Sequence, residues 1–159
     1  MGLRMRAALP SFEGIADWMN GEARASDFAG RPVLVHFWSI SCYMCHDKAQ
    51  ALVEWRAKYE PQGLYVVSIH QPRSAEELDV EAVRADAAGP MQIGHPCAID
   101  NGHTVVDRFE NAFVPAYYVF NREHQLRHFQ AGDKGYERIA TAIERVLEES
   151  PEASPTPST

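Results

Sequence analysis

The sequence predicts an α/β fold, a mixed central sheet with helices on both faces, and three observations carry that prediction. Two short apolar runs, Val33–Trp38 and Leu64–Ile69, are rich in β-branched and aromatic residues and flank a stretch of helical spacing. A later pair of runs, Ala116–Phe120 and Gln125–Gln130, is joined by the turn Asn121-Arg122-Glu123-His124. The final periodic segment sets Tyr136, Ile139, Ala140, Ile143, Val146 and Leu147 on one continuous stripe, the pattern of an amphipathic helix. Early alternation of strand and helix implies parallel pairing, and the late hairpin adds an antiparallel pair.

Val33-Leu34-Val35-His36-Phe37-Trp38 follows the breakers Gly30 and Pro32 and reads as a strand buried on both faces. Ala49, Leu52, Val53 and Tyr59 then fall near helical spacing, and Pro61 and Gly63 stop the segment. The stretch from Pro72 to Gly89 is polar and carries a helix around 78–88. A weaker strand is expected at Cys97–Ile99, closed by the turn Asp100-Asn101-Gly102, and a short helix around 104–110 follows. A single domain is expected over residues 1–149. Residues 150–159 hold three prolines and no large apolar side chain, so a disordered tail is expected there.

Composition excludes several classes of function. The 159 residues include 15 Lys and Arg against 22 Asp and Glu, a formal charge of −7. That balance disfavours nonspecific attraction to nucleic acid or anionic lipid. No apolar run reaches the ~18 residues a membrane span requires. The start, Met1–Pro10, lacks the apolar core of a secretory signal, so the cytoplasm is expected; a monomer is also expected. Three cysteines are too few for a disulfide scaffold, so any cysteine pair needs another explanation.

Cys42 and Cys45 bracket two residues, directly after a buried strand and at the start of a helix. The strand end aims the pair at the carboxyl edge of the sheet. The helix start offers unpaired N–H groups and partial positive charge, which favour a thiolate. A thiolate is the species that attacks a disulfide, and a second sulfur three residues on resolves the adduct. Cys42 is expected to be the exposed nucleophile and Cys45 the deeper resolving thiol. Cys97, in a short apolar strand, is expected to be an inert core thiol.

Two other chemistries share these residues. Cys42-Tyr43-Met44-Cys45-His46 also spells the c-type haem attachment pattern, and Cys42, Cys45 and His46 could join His95 and Cys97 around zinc. Adjacent Cys45 and His46 make poor chelate geometry on a helix, and the strand before the motif suits redox exchange better. No metal and no cofactor is therefore expected. His46 is expected as an exposed first-turn residue that can lend positive charge to Cys42.

The run Trp38-Ser39-Ile40-Ser41-Cys42-Tyr43-Met44-Cys45, with Val114-Pro115 ahead of a strand, resembles the thioredoxin superfamily in its TlpA/ResA-like branch. It is most similar there to YkuV-type thiol-disulfide oxidoreductases, on His36–Cys42, Phe109–Asn111, Val114–Phe120 and Gln125–Gly132. The resemblance covers roughly residues 10–149. It implies a thioredoxin-like fold with a TlpA-type α-β insert from about Pro72 to Asp100. It implies that Cys42 attacks, Cys45 resolves, and Trp38 packs beside the dithiol. It implies a cis peptide at Pro115, whose loop lies against the dithiol, with Val114 pairing its backbone to an extended substrate; without the resemblance, a trans proline opening an edge strand is the favoured reading. Disulfide-containing proteins are the implied substrates, with an electron-donating reductase as partner. A peroxide reductase on the same fold is the alternative, with Ser39 three residues before Cys42.

This chain departs from the family's pattern in three places. His36 stands where relatives bury an acid beneath the dithiol. A buried neutral imidazole can accept the resolving thiol's proton, so His36 is a catalytic candidate whose loss is expected to slow resolution by about 10²-fold. Tyr43-Met44 lies between the cysteines and forms an apolar patch suited to protein surfaces. Gln50 replaces a kinking proline five residues after Cys45, so a straighter helix is expected.

Overall fold

The computed structural model describes residues 2–132 and 134–149. The expected tail, residues 150–159, lies outside them. A six-stranded sheet is built from β1 (Asp17–Met19), β2 (Val33–Trp38), β3 (Tyr65–His70), β4 (Cys97–Ile99), β5 (Ala116–Phe120) and β6 (Leu126–Ala131). Their order is β1-β4-β3-β2-β5-β6. β4, β3 and β2 run parallel, and β1, β5 and β6 each pair antiparallel to a neighbour. The helices are α1 (Ala25–Phe28), α2 (Tyr43–Asp47), α3 (Ala49–Tyr59), α4 (Val80–Ala88), α5 (Thr104–Phe109) and α6 (Tyr136–Glu148).

Strand alternation sorts the core onto two faces. Val33, Val35 and Phe37 of β2 join Phe109 of α5, Phe28 of α1 and Phe120 of β5. Leu34 turns the other way, onto Leu52 and Trp55 of α3 and Ile139, Ile143 and Val146 of α6. Every residue of β2 is buried, as expected of a central strand covered on both sides. The inserted segment supplies α4 and β4; Val83 and Ala87 of α4 belong to the same cluster as Cys42, Cys45 and Trp38. Asp100 ends β4 and caps α5: its carboxylate accepts the N–H groups of Thr104, Val105 and Val106, each at 2.8 Å.

Two features depart from the sequence reading. The short strand β1 and helix α1 were not anticipated, because three and four residues carry no usable periodicity. The helix after Cys45 is also not straighter. It breaks between α2 and α3 at Lys48, whose backbone sits at φ −106°, ψ 12°. The interruption is therefore a backbone excursion three residues after Cys45, and Gln50's intact N–H does not prevent it. Gly63 ends the α3 segment at φ 115°, a conformation costly for any residue with a Cβ.

Candidate active site

β2 delivers Trp38 to the carboxyl edge of the sheet, and the loop Ser39-Ile40-Ser41 carries the chain into α2. Cys42 is the N-cap residue of α2, and its Sγ accepts the Cys45 N–H at 3.0 Å. Cys42 and Cys45 are joined as a disulfide, their Cα atoms 5.3 Å apart. The expected exposure of Cys42 is not found: it is 3% exposed and Cys45 2%. The physical reason is packing, since in the oxidised state both sulfurs join a cluster holding Trp38, Ala49 and Val114, with Ile40 and Met44 against it. What distinguishes Cys42 is its place outside the helical turn, with a backbone donor already aimed at its sulfur.

The loop before Cys42 is tied down by β3. The Ile40 N–H donates to His70 Nε2 at 3.2 Å, and the His70 ring stands edge-on to Trp38 with centroids 4.8 Å apart. Burial lowers His70 to about 4, in keeping with a neutral ring that accepts at Nε2. Ser39 Oγ donates to the Gln71 carbonyl, and the Gln71 N–H donates to Trp38 O at 2.8 Å. Gln71 Oε1 accepts from Asn111 Nδ2 at 2.8 Å, and the same Nδ2 lies 2.9 Å from Phe113 O. The Tyr118 hydroxyl closes the clamp by donating to Asn111 Oδ1 at 2.8 Å. The clamp thus links Trp38 to the loop holding Val114 and Pro115, whose peptide bond is cis. Val114 is 5% exposed and shares the dithiol's cluster. Arg73 reaches back from beyond β3 and donates to Ser41 Oγ at 2.7 Å, one residue before Cys42.

Among the described residues Tyr43 is the most exposed large hydrophobic, at 77%, and Phe113 follows at 70%. Met44 is half-buried and packs on the core, so the expected Tyr43–Met44 patch is mainly Tyr43. Nor is His46 an exposed residue. Its Nδ1 lies 2.9 Å from Cys42 O and its Nε2 2.6 Å from Asp86 Oδ2 of α4.

His36 is buried in the middle of β2. Its Nδ1 lies 2.9 Å from Ser68 Oγ, which lies 2.6 Å from His95 Nε2. Its ring stacks on Tyr117 with centroids 5.3 Å apart. Burial lowers His36 to about 3 and His95 well below the usual histidine value. The zinc alternative does not assemble: among the described residues no three metal-ligating side chains converge. Cys97 is a free thiol with no exposure, and burial pushes it up to about 12, which removes its thiolate. Cys97→Ala is expected to leave activity intact and to cost about 1–3 kcal/mol in urea unfolding. An activity loss as deep as that of a Cys42 variant would reveal a third redox thiol.

His70, Gln71, Asn111, Arg73 and Asp86 were not found by sequence reasoning. Each meets a partner 30 or more residues away, Asn111 through Gln71, and no local spacing marks those meetings.

Residues 5–129 match the AhpC/TSA family. The chain is 42% identical to thiol-disulfide oxidoreductase YkuV of Bacillus subtilis (strain 168) over 149 residues, 93% of this chain and 99% of that protein. The solution structure of a thioredoxin-like protein in the oxidized form superposes with a TM-score of 0.81 at 41% identity, covering 91% of this chain and 97% of that one. A thiol-disulfide isomerase from Corynebacterium glutamicum superposes at 0.76 with 18% identity, over 91% of this chain and 98% of that one, and shares the fold. The match to the family over most of the chain, and to a relative along nearly its full length, places this chain in the AhpC/TSA family, on the thioredoxin-like fold.

Proposed function

We propose that this thiol-disulfide oxidoreductase reduces disulfides in protein substrates and is itself recharged by an electron-donating reductase. The observation that carries the reading is the Cys42–Cys45 disulfide at the strand-to-helix junction. In the reduced chain the Cys42 thiolate attacks one sulfur of a substrate disulfide. The bond between the substrate sulfurs breaks, one substrate thiolate leaves, and a mixed disulfide forms. Cys45, deprotonated, then attacks Cys42 Sγ and releases the second substrate thiolate. Two electrons have passed to the substrate, and the chain is left as the disulfide.

Protein substrates are supported by two exposed aromatic side chains, Tyr43 on α2 and Phe113 on the loop of the cis bond. Trp38 and Met44 back this surface, and Val114 is the residue whose backbone would pair with an extended segment. The reductant direction follows from a cytoplasmic setting, where the thiol pool is reducing, and a monomer suffices for the chemistry. Turnover with insulin disulfide against hydrogen peroxide tests the reading. Insulin reduction with a supplied dithiol donor is expected, with weak peroxide consumption. Faster peroxide turnover would favour the peroxide reductase. Ser39, the hydroxyl singled out for that alternative, is fully buried and donates to the Gln71 carbonyl.

His36 is our candidate for handling the Cys45 proton. Its burial keeps it neutral, and a value of about 3 also makes it a weak base near pH 7. The expected contribution is accordingly smaller than the family position suggests. His36→Asn is expected to slow release of the mixed disulfide by about tenfold, and its formation less, in stopped-flow measurements from pH 6 to 9. Wild-type rates and pH dependence in a folded variant would leave His36 as packing alone.

A further inference from the structure

We propose that His46 and Asp86 form a positioning pair through which the inserted helix α4 supports the reactive turn and holds a cationic imidazole beside Cys42. The proposal rests on the reading of Cys42 as the nucleophile. His46 lies on the residue after the CxxC pair, and Asp86 is 40 residues away in sequence, on α4. Nδ1 of the ring lies 2.9 Å from the Cys42 carbonyl oxygen, and Nε2 lies 2.6 Å from Asp86 Oδ2.

The chemistry of these partners decides what the ring does. A carbonyl oxygen only accepts, and an ionised carboxylate only accepts. Both bonds exist together when the ring carries a proton on each nitrogen, which makes it an imidazolium. The contrast with the other site histidines is informative. His70 Nε2 receives an N–H and feels the Glu77 charge only at longer range, His36 and His95 share a hydroxyl, and among the described residues none of the three is hydrogen-bonded to a carboxylate. Among the described residues, Asp86 is the one charged side chain within ion-pair range of the His46 ring. The pair is partly screened from water, its side chains 27% and 19% exposed. Charge-assisted bonds of this length are among the stronger ones available to side chains.

Packing sets Asp86 in place. Val83 and Ala87, flanking it on α4, are buried in the same cluster as Cys42 and Cys45. The insert therefore presents a carboxylate to the reactive turn from a rigid element. The Cys42 carbonyl also accepts the backbone N–H groups of Cys45 at 3.1 Å and His46 at 3.3 Å. With the His46 ring as third donor, this carbonyl is drawn toward the helix, and positive charge lies at the residue whose sulfur must ionise. A second cation, Arg73, engages Ser41 on the preceding loop. Neither adds a covalent step. Both favour the charged form of Cys42 by proximity.

The test uses the full chain with ring-labelled histidine. In the wild type at pH 7, nitrogen-15 spectra are expected to show both His46 ring nitrogens protonated, and Asp86→Asn is expected to release one proton. In the reduced chain, iodoacetamide alkylation of Cys42 is followed from pH 5 to 9. His46→Gln keeps a donor but no charge and is expected to slow alkylation at pH 7 by about three- to tenfold, whereas His46→Lys restores much of it. Asp86→Asn is expected to shift the profile in the same direction as His46→Gln. A purely structural role would alter unfolding without moving the profile. A singly protonated His46 ring in the wild type at pH 7 overturns the proposal. So does a His46→Gln profile that overlays the wild type. Failure of the wild type to reduce insulin would instead remove the proposed function, leaving the ring spectra to stand or fall separately.

Discussion

Cys42→Ser is expected to abolish disulfide reductase activity, by at least ~10³-fold, whereas Cys45→Ser is expected to accumulate substrates as stable mixed disulfides. The two sulfurs are almost equally buried in the oxidised state, so exposure does not separate them. Their surroundings do. Cys42 caps α2 from outside the helical turn and receives the Cys45 N–H, with Arg73 bonded to the residue before it. Cys45 lies inside the turn. A serine at position 42 leaves no nucleophile of comparable reactivity, while a serine at position 45 leaves attack intact and removes resolution. The check is alkylation of the reduced chain at pH 7 with mass analysis of both sites. Labelling of Cys45 before Cys42 would reverse the roles.

Acid is expected to unfold the chain early, because three histidines are buried as neutral rings. Burial lowers His36 to about 3, His70 to about 4, and His95 well below the ordinary value. In the unfolded chain each returns to about 6.5. Below that pH the unfolded state binds protons that the folded state refuses, so protonation pulls toward unfolding. Their contribution is fully present above about pH 6.5, and it is lost progressively as pH falls toward the folded values. At about 1.4 kcal/mol per pH unit for each group, the loss by pH 5 is about 2 kcal/mol each for His36 and His70, and His95 adds to it in the same direction. That is a large fraction of the about 5–15 kcal/mol that holds a typical domain folded. Urea midpoints at pH 7.5, 6 and 5 measure it. His70→Asn is expected to remove its own share of the slope. A midpoint that stays level from pH 7.5 to 5 would show that water or movement relieves these rings.

Much of the site was legible in the sequence because its chemistry is local. The CxxC pair, the buried strand before it and the helix after it lie within about fifteen residues, and disulfide exchange needs that juxtaposition. The strands β2, β3 and β5 announced themselves by composition, and the stripe of α6 by period. Cys97 in a fully apolar strand was legible for the same reason.

What the tertiary structure decided is how distant residues meet that local unit. His70 and Gln71 reach the loop before Cys42 only because β2 and β3 pair in register, with Trp38 beside His70. Asn111 joins them only because α5 ends against β5. Asp86 meets His46 because the insert folds its helix back over the reactive turn. The burial of Cys42 in the oxidised chain, and the burial that makes His36 a weak base, come likewise from packing, which depends on every neighbouring layer. Periodicity and motif spacing report a residue's own segment, whereas burial and long-range hydrogen bonds depend on which segments the fold stacks together.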